Sequence, residues 1–197
     1  NCKLDPDDFC WQIEQFQKMG FGGFYMHPRT GLDTEYLGTE FMNTVQTCVE
    51  KAESLGMYAC LYDEDRYSSG FAGGLVTINP KYRQRKLLFT QQPKETETSR
   101  EKAEAEGGRY LVAIYDIVLN RNMELVSYHM VRENEPCRGE KWYAYSEVVG
   151  QPGGWFNHGT YVDAFSKEAI DKFIEITHET YQKAVGDQFG KTVPTIF

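Results

Sequence analysis

The sequence lacks most of the features that would settle its class quickly. Its five cysteines (Cys2, Cys10, Cys48, Cys60 and Cys137) are odd in number and scattered, with no C-x-x-C pair, so zinc-type spacing is absent. Cys10, Cys48 and Cys60 lie in apolar stretches and read as small buried hydrophobes, which makes a reducing compartment the default. No apolar run approaches the roughly 18 residues that a membrane helix needs. Basic side chains are in deficit: 21 Lys and Arg against 29 Asp and Glu leave a formal net charge of −8. That balance argues against a nucleic-acid or anionic-membrane surface. There is no Gly-x-Ser-x-Gly elbow and no HExxH. The Gly-rich stretch from Tyr67 to Gly74 lacks both the Lys-Ser/Thr ending of a phosphate loop and the spacing of a dinucleotide fingerprint. A signal peptide and an initiating Met are also missing, so cytoplasmic and exported locations both stay open.

What is present is globular: 41% hydrophobic and 25% charged residues in a chain of 197, with 14% aromatics suited to stacking on sugar rings as well as to core. Asp5-Pro6-Asp7-Asp8 predicts a helix start, Phe9, Ile13 and Phe16 mark one face, and Gly20 ends it. Phe21 to Pro28 reads as a strand. A second helix follows from Thr39, with Phe41, Val45, Val49, Ala52 and Leu55 aligned, and Met57 to Leu61 reads as a short buried strand. Asn79-Pro80 predicts a third helix carrying Tyr82, Leu87 and Leu88.

Beyond about Gln91 the pattern changes. Lys94 to Glu106 is charged and helix-prone, and three β-rich stretches follow, the first two joined at Asn120-Arg121-Asn122. The αβ rhythm resumes with a strand at Tyr161 to Phe165, a long helix capped by Ser166 and a final strand from Thr192. The expected fold is therefore α/β, a partial TIM-type (β/α)8 barrel of about half the strands, interrupted by an antiparallel β insertion. The expected divisions are 1–90, 91–150 and 151–197. Ragged ends imply a fragment of a longer chain.

Chemistry concentrates at predicted strand ends. Tyr62-Asp63-Glu64-Asp65-Arg66 brings three carboxylates to one of them, His27 and Arg29 occupy another, and Asp163 a third. In a parallel sheet these ends open on one face, where ligands sit. Crowded carboxylates raise one another's pKa, so one acid stays protonated while another is ionised, the pairing that glycoside hydrolysis requires. Asp63, Glu64 and Asp65 are the catalytic candidates, Glu64 foremost for acid/base work. Alternation along the strand leaves open that Glu64 points away and makes a salt bridge or a cap. His27 has an alternative as a structural histidine, and Arg29 and Arg66 as neutralising partners of the acids. Trp155, Asn157 and His158 would form a wall of a sugar cleft or an ordinary aromatic corner.

Gly20 to Phe41 (GFGGFYMHPRTGLDTEYLGTEF), Leu61 to Gly74 (LYDEDRYSSGFAGG) and Tyr161 to Phe197 together resemble large bacterial glycoside hydrolases of the α-L-rhamnosidase type. The resemblance implies a (β/α)8 catalytic barrel acting on terminal glycosides of plant polysaccharides. It also implies that His27, Arg29, Tyr67 and Asp163 line the sugar pocket with the acids. The expected partners are a carbohydrate and the remaining barrel half and accessory β domains of the same chain; the second catalytic carboxylate would lie beyond Phe197. The resemblance requires no cofactor. Two other classes compete: a carbohydrate-binding barrel without catalysis, and a metal-dependent hydrolase using His27, Asp63, Asp65 and Asp163. That oxygen-rich set would suit calcium or magnesium better than zinc, and calcium would also be compatible with sugar binding.

Overall fold

In the computed structural model the described residues are 3–66, 70–94, 98–150 and 160–197. The chain divides into two units, Asn1–Ile78 with Pro152–Phe197, and Asn79–Gln151.

The first unit starts with α1 (Pro6–Lys18), where the Asp5 carboxylate accepts from the Asp7 N–H at 3.0 Å and Pro6 holds the first helical position. β1 (Gly23–Met26), α2 (Thr39–Ser54) and β2 (Tyr58–Leu61) follow, and β1 and β2 pair in parallel with Gly23 opposite Tyr58 and Met26 opposite Leu61. Gly23 permits that approach, because a Cβ there would lie 2.7 Å from the Tyr58 carbonyl oxygen. Phe41, Val45, Cys48, Val49 and Ala52 recur on one face of α2. They are buried with Ile13 of α1, Ala59 and Leu61 of β2, and Tyr181, Val185 and Val193 from the end of the chain. Full burial of each large apolar side chain contributes about 1.5–3 kcal/mol.

The half-barrel expectation is overturned: among the described residues the parallel sheet has two strands, and the larger sheet is antiparallel. Tyr161 to Phe165 is reduced to a single bridging residue, Val162, in place of the expected strand. A parallel strand covered on both faces needs an unbroken apolar run, and Asp163 interrupts this one. Its side chain accepts from the Phe165 N–H at 3.1 Å, its carbonyl from the Ser166 N–H at 3.0 Å, and Phe165 is left wholly exposed. The long helix is divided into α4 (Lys167–Ile176) and α5 (His178–Val185) at Thr177. The last residues do run parallel to β2: Ile196 bridges Leu61, and the Asp63 N–H donates to the Phe197 carbonyl at 2.9 Å.

The second unit is built on four antiparallel strands, β3 (Arg85–Thr90), β4 (Gly108–Leu119), β5 (Leu125–Val131) and β6 (Glu140–Val148), in the order β3-β6-β4-β5, with α3 (Arg100–Glu106) between β3 and β4. The helix expected from Asn79 is a single short turn, Pro80–Tyr82, capped by the Asn79 side chain. Beyond it the period of two prevails: Leu88 packs with Ile114, Tyr143 and Tyr145 while Leu87 is exposed. The opposite face carries aromatics, with Phe89 stacked on Trp142 at 5.0 Å and Tyr115 beside Tyr128 at 6.3 Å. Asp116, fully buried, accepts from the Arg138 and Gly139 N–H groups, both at 2.8 Å. The β4–β5 turn is closed by Asn120, whose side-chain oxygen accepts from the Asn122 and Glu124 N–H groups, as the Asn-Arg-Asn sequence anticipates.

Candidate functional site

The parallel register of β1 and β2 brings their carboxyl ends side by side. One residue past the strands, the His27 ring stacks on Tyr62, with centroids 3.8 Å apart and planes 29° from parallel. Partial burial, followed by the charge of Arg29, holds the His27 imidazole below its ordinary pKa. Arg29 itself is exposed. Beneath His27 and away from the acids, an apolar cavity of about 230 Å³ opens between α1, α2 and β1, lined by Phe9, Ile13, Phe16, Phe24 and Val45 among others.

The three acids that follow Tyr62 have three different surroundings. Asp63 is half-buried and its Oδ2 lies 3.7 Å from His178 Nε2. Burial raises its carboxyl pKa, and His178 pulls the other way. Glu64 turns inward, 1% exposed. Its Oε1 accepts from the Phe71 and Ala72 N–H groups at 2.9 and 3.2 Å, and its Oε2 from the Gly73 N–H at 3.1 Å. Burial pushes this carboxyl up to about 8 against the opposing pull of those amides. Asp65 is also buried, with Arg66 Nε 3.7 Å from its Oδ1; burial raises its pKa and Arg66 lowers it.

The amides that bind Glu64 converge because the loop adopts an unusual course. Gly70, Ala72, Gly73 and Gly74 all have positive φ, Ala72 at 52° without a glycine's freedom. A Cβ on Gly70 would lie 2.3 Å from Val162 Cγ1. Residues 70–74 thus form a cradle for a carboxyl of their own chain. Glu64, foremost among the acid/base candidates, is the group that holds this cradle together.

Tyr36 and His178, both missed by sequence reasoning, complete the cluster with Tyr181. The Tyr36 hydroxyl is pushed well above its usual pKa by burial, then by Tyr181, Glu64, Asp63 and Asp65, and the Tyr36 ring and Asp65 flank Gly73. The Tyr181 hydroxyl donates to the Tyr62 carbonyl at 2.9 Å and fixes α5 against the end of β2. His178 stands at the first position of α5, its Nδ1 3.0 Å from Thr177 Oγ1 and its ring edge-on to Phe173. A continuous helix pointed to Thr177 and Tyr181 as inward residues; the break at Thr177 is what brings His178 to Asp63. A Tyr within the loop between β1 and α2 and a His beside a helical Thr carry no distinctive spacing, so no pattern marked them.

Asp163 is half-buried and engaged in its own turn. Tyr67, Trp155, Asn157 and His158 lie outside the described residues. Among the described residues no group of three or more His, Cys, Asp or Glu is placed to hold a metal ion, so the set His27, Asp63, Asp65 and Asp163 is not gathered into one. The arrangement gathers a half-accessible carboxyl at Asp63, the imidazoles of His178 and His27 and the His27–Tyr62 ring pair, groups that can bind hydroxyls and a ring face. No family model, curated protein or solved structure matches the chain.

Proposed function

We propose that the chain contributes the sugar-binding face of a glycoside hydrolase that cleaves O-glycosidic bonds of plant-type oligosaccharides or polysaccharides by carboxylate acid/base chemistry. The observation that carries this reading is Asp63: a half-accessible acid whose carboxyl is raised by burial, beside an imidazole and next to a stacked ring pair. A solvent-accessible carboxyl raised above its ordinary range is suited to general acid work on a leaving oxygen. His178 and His27 bind and orient the sugar. Glu64 shapes the loop next to the site rather than meeting the substrate.

Binding without cleavage is the second reading. It is favoured by the withdrawal of Glu64 and Asp65 into the fold, since hydrolysis needs a second carboxylate in reach of the sugar. The protein as its gene encodes it is assayed on aryl glycosides, α-L-rhamnosides first. Turnover is expected, with a fall of about 100-fold or more in kcat for Asp63→Asn. Saturable oligosaccharide binding without turnover would select the second reading. Neither turnover nor binding across the panel would reject both.

A further inference from the structure

β5 is the terminal strand of the antiparallel sheet, paired to β4 on one side. Among the described residues nothing pairs with its other edge. Free edges invite pairing with other chains, and soluble proteins blunt them with charge, proline, bulges or short length. The opposite edge follows that rule, because β3 opens with Arg85 and Lys86. β5 does not. Its seven residues, LVSYHMV, hold no Lys, Arg, Asp, Glu or Pro. Leu125, Val126, Tyr128 and Met130 are 58%, 62%, 65% and 70% exposed.

The flanks say what fits there. Glu124 precedes the strand and Arg132 follows it. If two β5 strands meet antiparallel with Tyr128 at the centre, Leu125 faces the second copy's Val131, Val126 faces Met130 and Ser127 faces His129. The same register sets Glu124 opposite the second copy's Arg132, at both ends. A slip of two residues would set Glu124 opposite Met130 or Asn134 and lose both charge pairs. Opposite charges and apolar pairs directly across an antiparallel ladder are favourable, and like charges are not. The segment is therefore complementary to itself, in one register.

We infer that the free edge of β5 is a homodimer interface, where two copies of this chain join β5 to β5 about Tyr128 and Glu124–Arg132 pairs close both ends. The two sheets become one continuous sheet, and the edge that would recruit foreign strands is sealed. Tyr128 lies beside Tyr115, so the aromatic faces of the two copies run together at the dyad.

Sedimentation velocity over a concentration series tests this on the full protein, with amide exchange in the β4–β5 hairpin confirming that each variant folds. A reversible dimer is expected. Glu124→Arg and Arg132→Glu should each raise its dissociation constant about tenfold, since each sets like charges across both ends, and the double swap should return it to within about threefold. Val126→Lys, at an exposed position, should leave monomer throughout. A wild-type protein that is monomeric at every concentration overturns the proposal, as does a dimer indifferent to Val126→Lys. Single swaps that the double swap fails to rescue would overturn the register.

Discussion

Replacing Glu64 with Ala removes the acceptor of three converging amides, and its cost follows from their burial. Phe71 and Ala72 are both 0% exposed, and their N–H groups lie 2.9 and 3.2 Å from Oε1, with Gly73 3.1 Å from Oε2. A buried donor left without a partner costs about 1–3 kcal/mol. The loop can open to let water in, so the net loss should be about 3 kcal/mol rather than the full sum. Glu64→Gln keeps one acceptor oxygen but sets an NH₂ group where an amide must be received, and should cost about 1–2 kcal/mol. The pH dependence separates the two effects. The folded carboxyl titrates at about 8 and the unfolded one at 4.5. Between those values the folded state holds a proton that the unfolded state has released, so stability falls as pH rises through that window, by up to about 1.4 kcal/mol per pH unit. Glu64→Gln should lack that slope. Urea unfolding at several pH values, with hydrogen exchange at residues 71–73, reads both quantities. Unchanged protection of those amides in Glu64→Ala, or parallel stability curves for wild type and Glu64→Gln, would refute the reasoning.

Gly70→Ala combines a φ of 91° with a Cβ 2.3 Å from Val162 Cγ1. It should cost about 2 kcal/mol or more, partly recovered by adding Val162→Ala, as denaturant titration would show. His178→Ala removes the influence that lowers the Asp63 pKa while burial remains, so a ¹³C carboxyl titration should move Asp63 further upward. Asp116 has its carboxyl pKa lowered chiefly by the Arg138 amide, so the stability it lends is present above 3.8 and fades as pH falls through its lower folded value. Asp116→Asn should flatten that acid limb of the stability curve.

The local signals in the sequence proved dependable where one element decides its own shape. Asp5-Pro6 starts α1, the apolar stripe of α2 faces the core, and Asn120 closes the β4–β5 turn because each depends on neighbours a few residues away. The two-residue alternation of Leu87, Leu88 and Phe89 was available too, but the cap at Asn79 suggested a helix that stops after one turn. The barrel failed for a long-range reason. Two αβ units and a suggestive acidic motif say nothing about how many further strands will join, and Asp163 in a predicted strand was already a warning against one. The acids at the end of β2 were legible as a cluster. Their separate fates were not, since only the loop's backbone course determines that Glu64 faces amides while Asp63 faces an imidazole.

The break between α4 and α5 governs where a hydrogen rests on the imidazole. Thr177 has a single hydroxyl hydrogen and gives it to the Phe173 carbonyl at 2.7 Å. Its oxygen therefore meets His178 Nδ1 with lone pairs alone, and the uncharged ring must carry its hydrogen on Nδ1. Nε2 is then a bare base turned toward Asp63 Oδ2, 3.7 Å away. A buried threonine thus chooses the tautomer and leaves Nε2, the nitrogen that faces Asp63, as the ring's acceptor.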